Sequence, residues 1–340
     1  MLKLSESYLQ TRLSLFAGRL LTDSDINRLL DSEAETLSTR LIELLGDSYS
    51  FEKFSLMELD QVFIEDMLND FKILIRSFNG VERDFLIYTI RWFELSNLKV
   101  LIRGKFSGVE EQIIRSQLME LGSFADLPID KLLSTEDPPE MLRMLEYTPY
   151  ASIVRQARRV FEEEGNDLFA LNAAIDRSFF MGIRKRMLIV ERDEQQDLRD
   201  VFSVLMDRFN LVWLLRYRFS YGFSSAKLYY LLSFSGKYLG QDRLMHLAKQ
   251  DSVEAVLDGL PEPLFSLLKG STDVVDIENK MEKFSDWVSV KTLRRSHSSL
   301  ARAFAYILLR ESQVKVIQAI IKGKMMGLDL SLIKTALGRS

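Results

Sequence analysis

The sequence predicts an all-α fold made of three similar helical lobes, and three observations carry that reading. Apolar residues recur every three to four positions. Phe63, Met67, Phe71, Leu74 and Phe78 form one such stripe, and Ile307, Val314, Ile317 and Ile321 form another. Alternation with period two, the mark of a half-buried strand, is scarce. Second, 340 residues hold only six prolines and 16 glycines, which suits long helices joined by few turns. Third, one segment recurs three times along the chain.

The first copy of that segment is LSNLKVLIRGKFSG, residues 95–108. The second is RFNLVWLLRYRFSYG, residues 208–222, and the third is QVKVIQAIIKGKMMG, residues 313–327. Aligning the first two on Asn97 and Asn210 sets Arg103 against Arg216, Lys105 against Arg218 and Phe106 against Phe219. The third joins through Lys322, Gly323 and Lys324. An amphipathic segment precedes each copy: VFIEDMLNDFKILIRSFNG, ALNAAIDRSFFMGIRKRM and DIENKMEKFSDWVSVKTL. The repeat predicts lobes at 1–109, 110–222 and 223–340 about a pseudo-threefold axis. The N-terminal stretch SYLQTRLSLFAGRLLTDSDINRLLD is assigned to the first lobe, which otherwise lacks its share of helix.

The prolines mark the connections. All six (Pro128, Pro138, Pro139, Pro149, Pro261 and Pro263) lie between positions 128 and 263. A proline inside a helix costs roughly 3 kcal/mol, so these positions belong at helix ends. STEDPPEM reads as a helix–helix link, with Pro138 and Pro139 at the next helix start. GSTDVV, residues 270–275, is a further break. The proline-free flanks, 1–127 and 264–340, have room for the longest helices.

Composition narrows the chemistry. There are no cysteines, so thiol nucleophiles, disulfides and thiolate metal sites are excluded. Histidine occurs only as His246 and His297, too few for a multi-histidine metal site. The net charge of −4 argues against nucleic acid as the main partner. No run approaches the ~18 apolar residues of a membrane span. The longest candidate, FAYILL, stops at Arg310 and Glu311, and the N-terminus lacks a signal-peptide core. These features predict a soluble, cytoplasmic chain.

Catalytic signatures do not emerge. Each Gly-Lys pair is followed by Phe, Tyr or Met, so no phosphate-binding loop forms and no direct nucleotide binding is expected. Neither HExxH nor DDxxD occurs. Glu162, Glu163 and Glu164 point in different directions on a helix and read as its solvated end. Asp176 and Arg177 read as a lobe-stabilising pair rather than a catalytic acid with its counter-ion. Arg184, Lys185 and Arg186, like Arg294 and Arg295, could bind phosphate, but a solvated or partner-facing helix surface is the simpler reading. No cofactor and no metal are expected.

The most informative polar residues are the three pairs of cations at the copy ends: Arg103 with Lys105, Arg216 with Arg218, and Lys322 with Lys324. Two readings stand. Cations near a helix C-terminus complement its partial negative charge by about 0.3–1 kcal/mol, and the central glycines suit helix ends. Alternatively, three equivalent helix ends present positive charge to a common partner.

Four stretches in chain order resemble the C subunit of the V/A-type rotary ATPases, the homologue of the d subunit of the eukaryotic vacuolar enzyme. They are YLQTRLSLFAGRLLTDSDINRLLDSE, FELSNLKVLIRGK, YTPYASIVRQA followed by LNAAIDRSFF, and YILLRESQVKVIQAIIKGKMMGL. Asn97, Asn210, Asp176, Arg177 and Glu311 fall on the family's structural motif positions. Arg310 stands where the family more usually has lysine, and Gln313 where it has a second acid. The resemblance implies an all-helical funnel of three lobes around a central cavity. It implies a non-catalytic rotor component seated on the membrane proteolipid ring, with the cavity receiving the end of the central shaft. Its partners would be the shaft and the ring, and its place the cytoplasmic membrane surface. The rival from the residues alone is a cytoplasmic helical scaffold.

Overall fold

The computed structural model describes residues 2–45, 55–165, 167–190, 192–232, 236–271 and 273–339. Among these residues every regular element is helical. The chain runs through α1 (Leu2–Gly18), α2 (Asp23–Leu30), α3 (Ala34–Leu45), α4 (Leu56–Arg76), α5 (Gly80–Phe106) and α6 (Glu111–Ser116). It continues through α7 (Ile129–Leu133), α8 (Pro138–Met144), α9 (Ala151–Glu163), α10 (Leu168–Met187), α11 (Arg192–Leu215) and α12 (Ser225–Leu231). Next come α13 (Gln241–Leu247), α14 (Val253–Asp258), α15 (Leu264–Leu268), α16 (Val274–Arg295), α17 (Ser299–Met325) and α18 (Leu330–Ala336).

Local chemistry sets the helix starts. Thr22 and Asp25 form a reciprocal capping box at α2, and Ser55 and Glu58 form one at α4. The Ser55 bonds hold the Glu58 carboxyl below its usual range. In the STEDPPEM link, Asp137 caps α8 by accepting the Glu140 amide at 2.7 Å, and Pro138 takes the first helical position. In the break at 270–275, Asp273 caps α16, while Thr272 lies outside the described residues.

The chain forms two compact units. The first holds Met1–Phe78, Glu191–Ser225 and Phe234–Ser340, and the second holds Asn79–Val190 and Ala226–Ser233. In the second unit, α5 packs antiparallel on α10. Tyr88 stacks on Phe179 at 5.3 Å, and Gly182 passes so close to the Tyr88 ring that no side chain fits there. In the first unit, α11 packs on α16 and α17 packs on α4. The order of these pairs is cyclic. The long helix ending each copy lies against the amphipathic helix that opens the next, and copy three returns to the opener of copy one. Phe63, Met67, Phe71 and Leu74 are buried on α4, as their period requires, and Phe78 is buried just beyond its C-cap.

The α17–α4 contact also holds a buried charge cluster. Arg310 pairs with Asp66, Arg19 reaches Asp70 at 2.7 Å, and the Tyr306 hydroxyl donates to Asp70 at 2.5 Å. Burial pushes the Asp70 carboxyl above its usual range, and the Tyr306 bond and Arg19 partly oppose that shift. The Tyr306 phenol is pushed well up, by burial first and by the Asp70 charge second.

The N-terminal stretch contacts both the first and the third copies. α3 packs on α4, and α2 packs on α3 and also on α17 and α18 of the third copy. Gln313 donates to the Leu21 carbonyl at 3.0 Å and Lys324 to the Ser32 carbonyl at 2.9 Å. Arg339 pairs with Asp23 at 2.7 Å and Lys334 with Asp31 at 3.4 Å. The reason is complementarity: the third copy carries these polar groups, and α2 with its flanking turns offers their partners.

Candidate functional site

Each of the three repeated segments ends a long helix in a matching way. In copy one the Ser107 amide donates to Arg103, the Gly108 amide to Lys105 and the Val109 amide to Gly104. In copy three the Met326, Gly327 and Leu328 amides donate to Lys322, Lys324 and Gly323 in the same order. These overlapping bonds satisfy carbonyls that a helix end would otherwise leave bare. They need a left-handed residue, supplied by Gly108 at φ 66° and Gly327 at φ 64°. In copy two, Gly222 at φ 68° serves the same purpose. A short helix follows each glycine: α6, α12 and α18.

The six predicted cations divide by position. The second cation of each copy is engaged inside its own unit. Lys105 donates to the Leu133 carbonyl at the end of α7, and Lys324 donates to the Ser32 carbonyl just after α2. Arg218 lies 4.0 Å from Asp251, which follows α13. Thus Lys105 and Lys324 each tie a copy end to the exit of a short helix, while Arg218 only approaches the exposed Asp251. The first cations are more open. Arg103 is exposed and has no ion-pair partner among the described residues. Arg216 pairs with Glu278 of α16 at 2.5 Å, and Lys322 lies 4.0 Å from Asp60 of α4. The Arg103 pair lies in the second unit and the other two pairs in the first.

The motif residues occupy interior positions. The Asn97 side chain accepts the Met119 amide at 2.9 Å and donates to the Met119 carbonyl at 2.8 Å. Asn210 is fully buried. Asp176 takes Lys99 as its ion partner at 2.6 Å, rather than its neighbour Arg177. Burial pushes the Asp176 carboxyl up, against the pull of Lys99. Arg177 donates instead to the Leu232 carbonyl at 3.2 Å, since adjacent side chains on a helix diverge. Glu311 pairs with Lys315 one turn along α17 at 2.5 Å. Glu162, Glu163 and Glu164 end α9 on the surface, facing Arg158, Arg159 and Lys227.

The sequence reading missed two carboxylates. Glu94 and Asp207 each stand three positions before the motif asparagine, a match visible in ELSN and DRFN. Glu94 accepts the Asp126 and Leu127 amides and the Tyr150 hydroxyl. Asp207 accepts the amides of Lys237 at 3.1 Å, Tyr238 at 3.0 Å and Leu239 at 2.8 Å. Each buried acid therefore anchors the loop that enters the next short helix, α7 or α13. Burial pushes the Asp207 carboxyl up to about 6, with the amide donors pulling the other way. In copy three the matching residue is Gln313, whose amide makes one bond, to Leu21.

The first unit also holds an open recess of about 810 Å³ between α1, α2, α16 and α17. Asp286 on its wall accepts the Ser312 hydroxyl at 2.8 Å, and burial pushes its carboxyl up to about 6. Among the described residues no group of three or more His, Cys, Asp or Glu side chains is placed to hold a metal ion. Among them, too, no helix is long and apolar enough to cross a membrane.

These features define an all-helical repeat protein whose long helices end in equivalent basic turns, each clipped to a short helix. The chain belongs to the ATP synthase (C/AC39) subunit family, whose pattern matches residues 9–336. It is 23% identical to the A-type ATP synthase C subunit of Methanocaldococcus jannaschii, over 97% of this chain and 86% of that one. It is 27% identical to the C subunit of the Haloquadratum walsbyi A-type ATP synthase, over 92% and 89% of the two chains. The corresponding protein of Thermococcus kodakarensis is 21% identical, over 98% of this chain and 90% of its own.

Proposed function

We propose that this chain is a non-catalytic rotor subunit of a V/A-type ATPase. It couples the central shaft of the soluble head to the membrane proteolipid ring, for ATP-linked proton or sodium transport. The observation that carries this reading is the family match across residues 9–336, together with three copies of one helix end inside it. In this reading the copies head three lobes around a central cavity. Nucleotide chemistry and ion passage belong to other subunits, and the chain sits peripherally on the cytoplasmic membrane surface.

The same reading narrows the contact residues. Lys105 and Lys324 hold helix exits, so the more open cations Arg103, Arg216 and Lys322 are the ones that meet the shaft or the ring. Stiffness supports the role: α5 and α17 each run 27 residues without interruption, a length of about 40 Å. The test is deletion of this chain from the complex. Nucleotide hydrolysis by the detached head should persist while ATP-driven ion pumping is lost. Pumping at normal stoichiometry without the chain would rule the coupling role out.

A further inference from the structure

At the start of α5, about 30 Å along the axis from Arg103, the second unit presents a different surface. Here the last turns of α10 lie beside the first turn of α5. The two are joined by Arg186, which pairs with Asp84 at 2.8 Å and stacks over Tyr88 at 3.8 Å. Met181, Arg184 and Lys185 on α10 and Leu188 at its C-cap share one face by helical spacing. That spacing usually marks a buried stripe, yet all four are exposed. Leu188 is 57% exposed and the next residue, Ile189, is 60% exposed. Val81 and Arg83 are exposed on the adjoining turn of α5.

The charge here runs against that of the whole chain. Arg83, Arg184, Lys185 and Arg186 outnumber Glu82 and Asp84, although the full sequence carries a net charge of −4. Arg83, Arg184 and Lys185 have no ion-pair partner among the described residues. Protein docking sites centre on aromatic and arginine anchors that enter well-packed pockets. Among the described residues this tip exposes no aromatic ring: Tyr88 is buried, and what projects is aliphatic side chains flanked by long cations. That is the composition of a surface that rests in the interfacial layer of a membrane.

We propose that this end of the α5–α10 pair binds the anionic headgroups of a lipid bilayer. Arg83, Arg184 and Lys185 face the phosphates, and Leu188 and Ile189 enter the boundary between headgroups and acyl chains. The contact does not depend on what Arg103, Arg216 and Lys322 bind.

The test is co-sedimentation of the full chain with vesicles. The wild-type chain should bind mixed phosphatidylcholine–phosphatidylglycerol vesicles, bind pure phosphatidylcholine vesicles far more weakly, and lose binding as salt rises. Arg184→Glu with Lys185→Glu should lower partition on the order of tenfold or more, as expected for loss of cations near an anionic surface. Leu188→Gln with Ile189→Gln should lower it comparably on the same vesicles. Lys131→Glu with Lys249→Glu, exposed lysines elsewhere, removes the same charge and should leave binding at the wild-type level. All these positions are exposed, and circular dichroism melting checks that the fold is kept. Equal binding to neutral and anionic vesicles, or binding unmoved by the α10 variants, would overturn the proposal. So would α10 variants that lose attachment to a protein complex while the wild-type chain ignores vesicles.

Discussion

At the ends of α5 and α17 a glycine sits beneath an isoleucine from the following short helix. At the end of α11 the matching position is Tyr217. A Cβ on Gly104 would lie 2.7 Å from the Ile114 side chain, and one on Gly323 would lie 2.7 Å from Ile333. Both helices stay α-helical to their caps. The end of α11 instead widens into a π turn over Arg216–Ser220, in which the Tyr221 amide donates to the Arg216 carbonyl. A π turn accommodates one extra residue. Accordingly the left-handed glycine comes one position later after Tyr217 than after Gly104 or Gly323. Tyr217 then stacks on Phe223 at 5.7 Å instead of admitting a short helix beneath it. One insertion and one glycine-to-tyrosine exchange thus compensate each other, which keeps the cap but changes what covers it.

The polar anchors differ between copies as well, and they give the largest expected effects. Asp207→Ala would strand three loop amides and should destabilise the chain by about 4 kcal/mol, read by denaturant unfolding. Gln313→Ala removes one bond and should cost about 1 kcal/mol. Equal costs would break the ranking. Next, Gly323→Tyr copies copy two without its extra residue. Overpacking of Ile333 should cost about 3 kcal/mol, whereas Tyr217→Phe, which keeps the ring, should stay within about 1 kcal/mol.

A pair of buried acids sharpens the contrast through pH. The Asp286 carboxyl is pushed up to about 6, so the folded chain holds that proton more tightly than the unfolded chain does. The stability this confers is present below about pH 4 and is lost as pH rises through 6. Asp286→Asn can keep the Ser312 hydrogen bond by letting the hydroxyl reorient. It should match wild type near pH 4 and exceed it by roughly 1–3 kcal/mol at pH 8. Asp207→Asn should follow the same pH slope, since burial raises that carboxyl to about 6 as well, but from a lower baseline, because half of an amide repels the amide donors it would face. Melting curves across pH for both variants decide this. The smallest effect belongs to the caps: Gly327→Ala forces a left-handed alanine and should cost about 1–2 kcal/mol.

Much of this arrangement is legible in the sequence. The period of Phe63 to Phe78 specifies a buried helix face, and Asp137 before two prolines specifies a helix start, because both are local rules. The three copies are legible through Asn97, Asn210 and the basic ends. The pairing of the helices is not, since which opener a long helix meets depends on contacts far apart in sequence. Asp176 illustrates the limit: adjacency suggested Arg177, but the helix turns the two apart and Lys99 arrives from α5. Glu94 and Asp207 carried a usable signal, the fixed spacing to the asparagine. Their purpose became visible only once the loops at 126–127 and 237–239 folded back onto them. The division of each cation pair was also invisible, because Lys105 and Lys324 find their carbonyls only in the folded chain.

The coupling role turns most directly on the outward cations. The deciding measurement compares wild-type chain with a variant carrying Arg103→Glu, Arg216→Glu and Lys322→Glu. Its affinity for the remainder of the ATPase complex is measured at low and high salt, with the melting temperature of the isolated chain taken alongside. Charges at an interface rim are screened over about 10 Å at 0.1 M salt, so reversal should weaken assembly strongly at low salt and less at high salt. The melting temperature should fall only slightly, through loss of the Arg216–Glu278 pair, because Lys105 and Lys324 still hold the helix exits. A variant that assembles with wild-type affinity at low salt would contradict the role given to these cations.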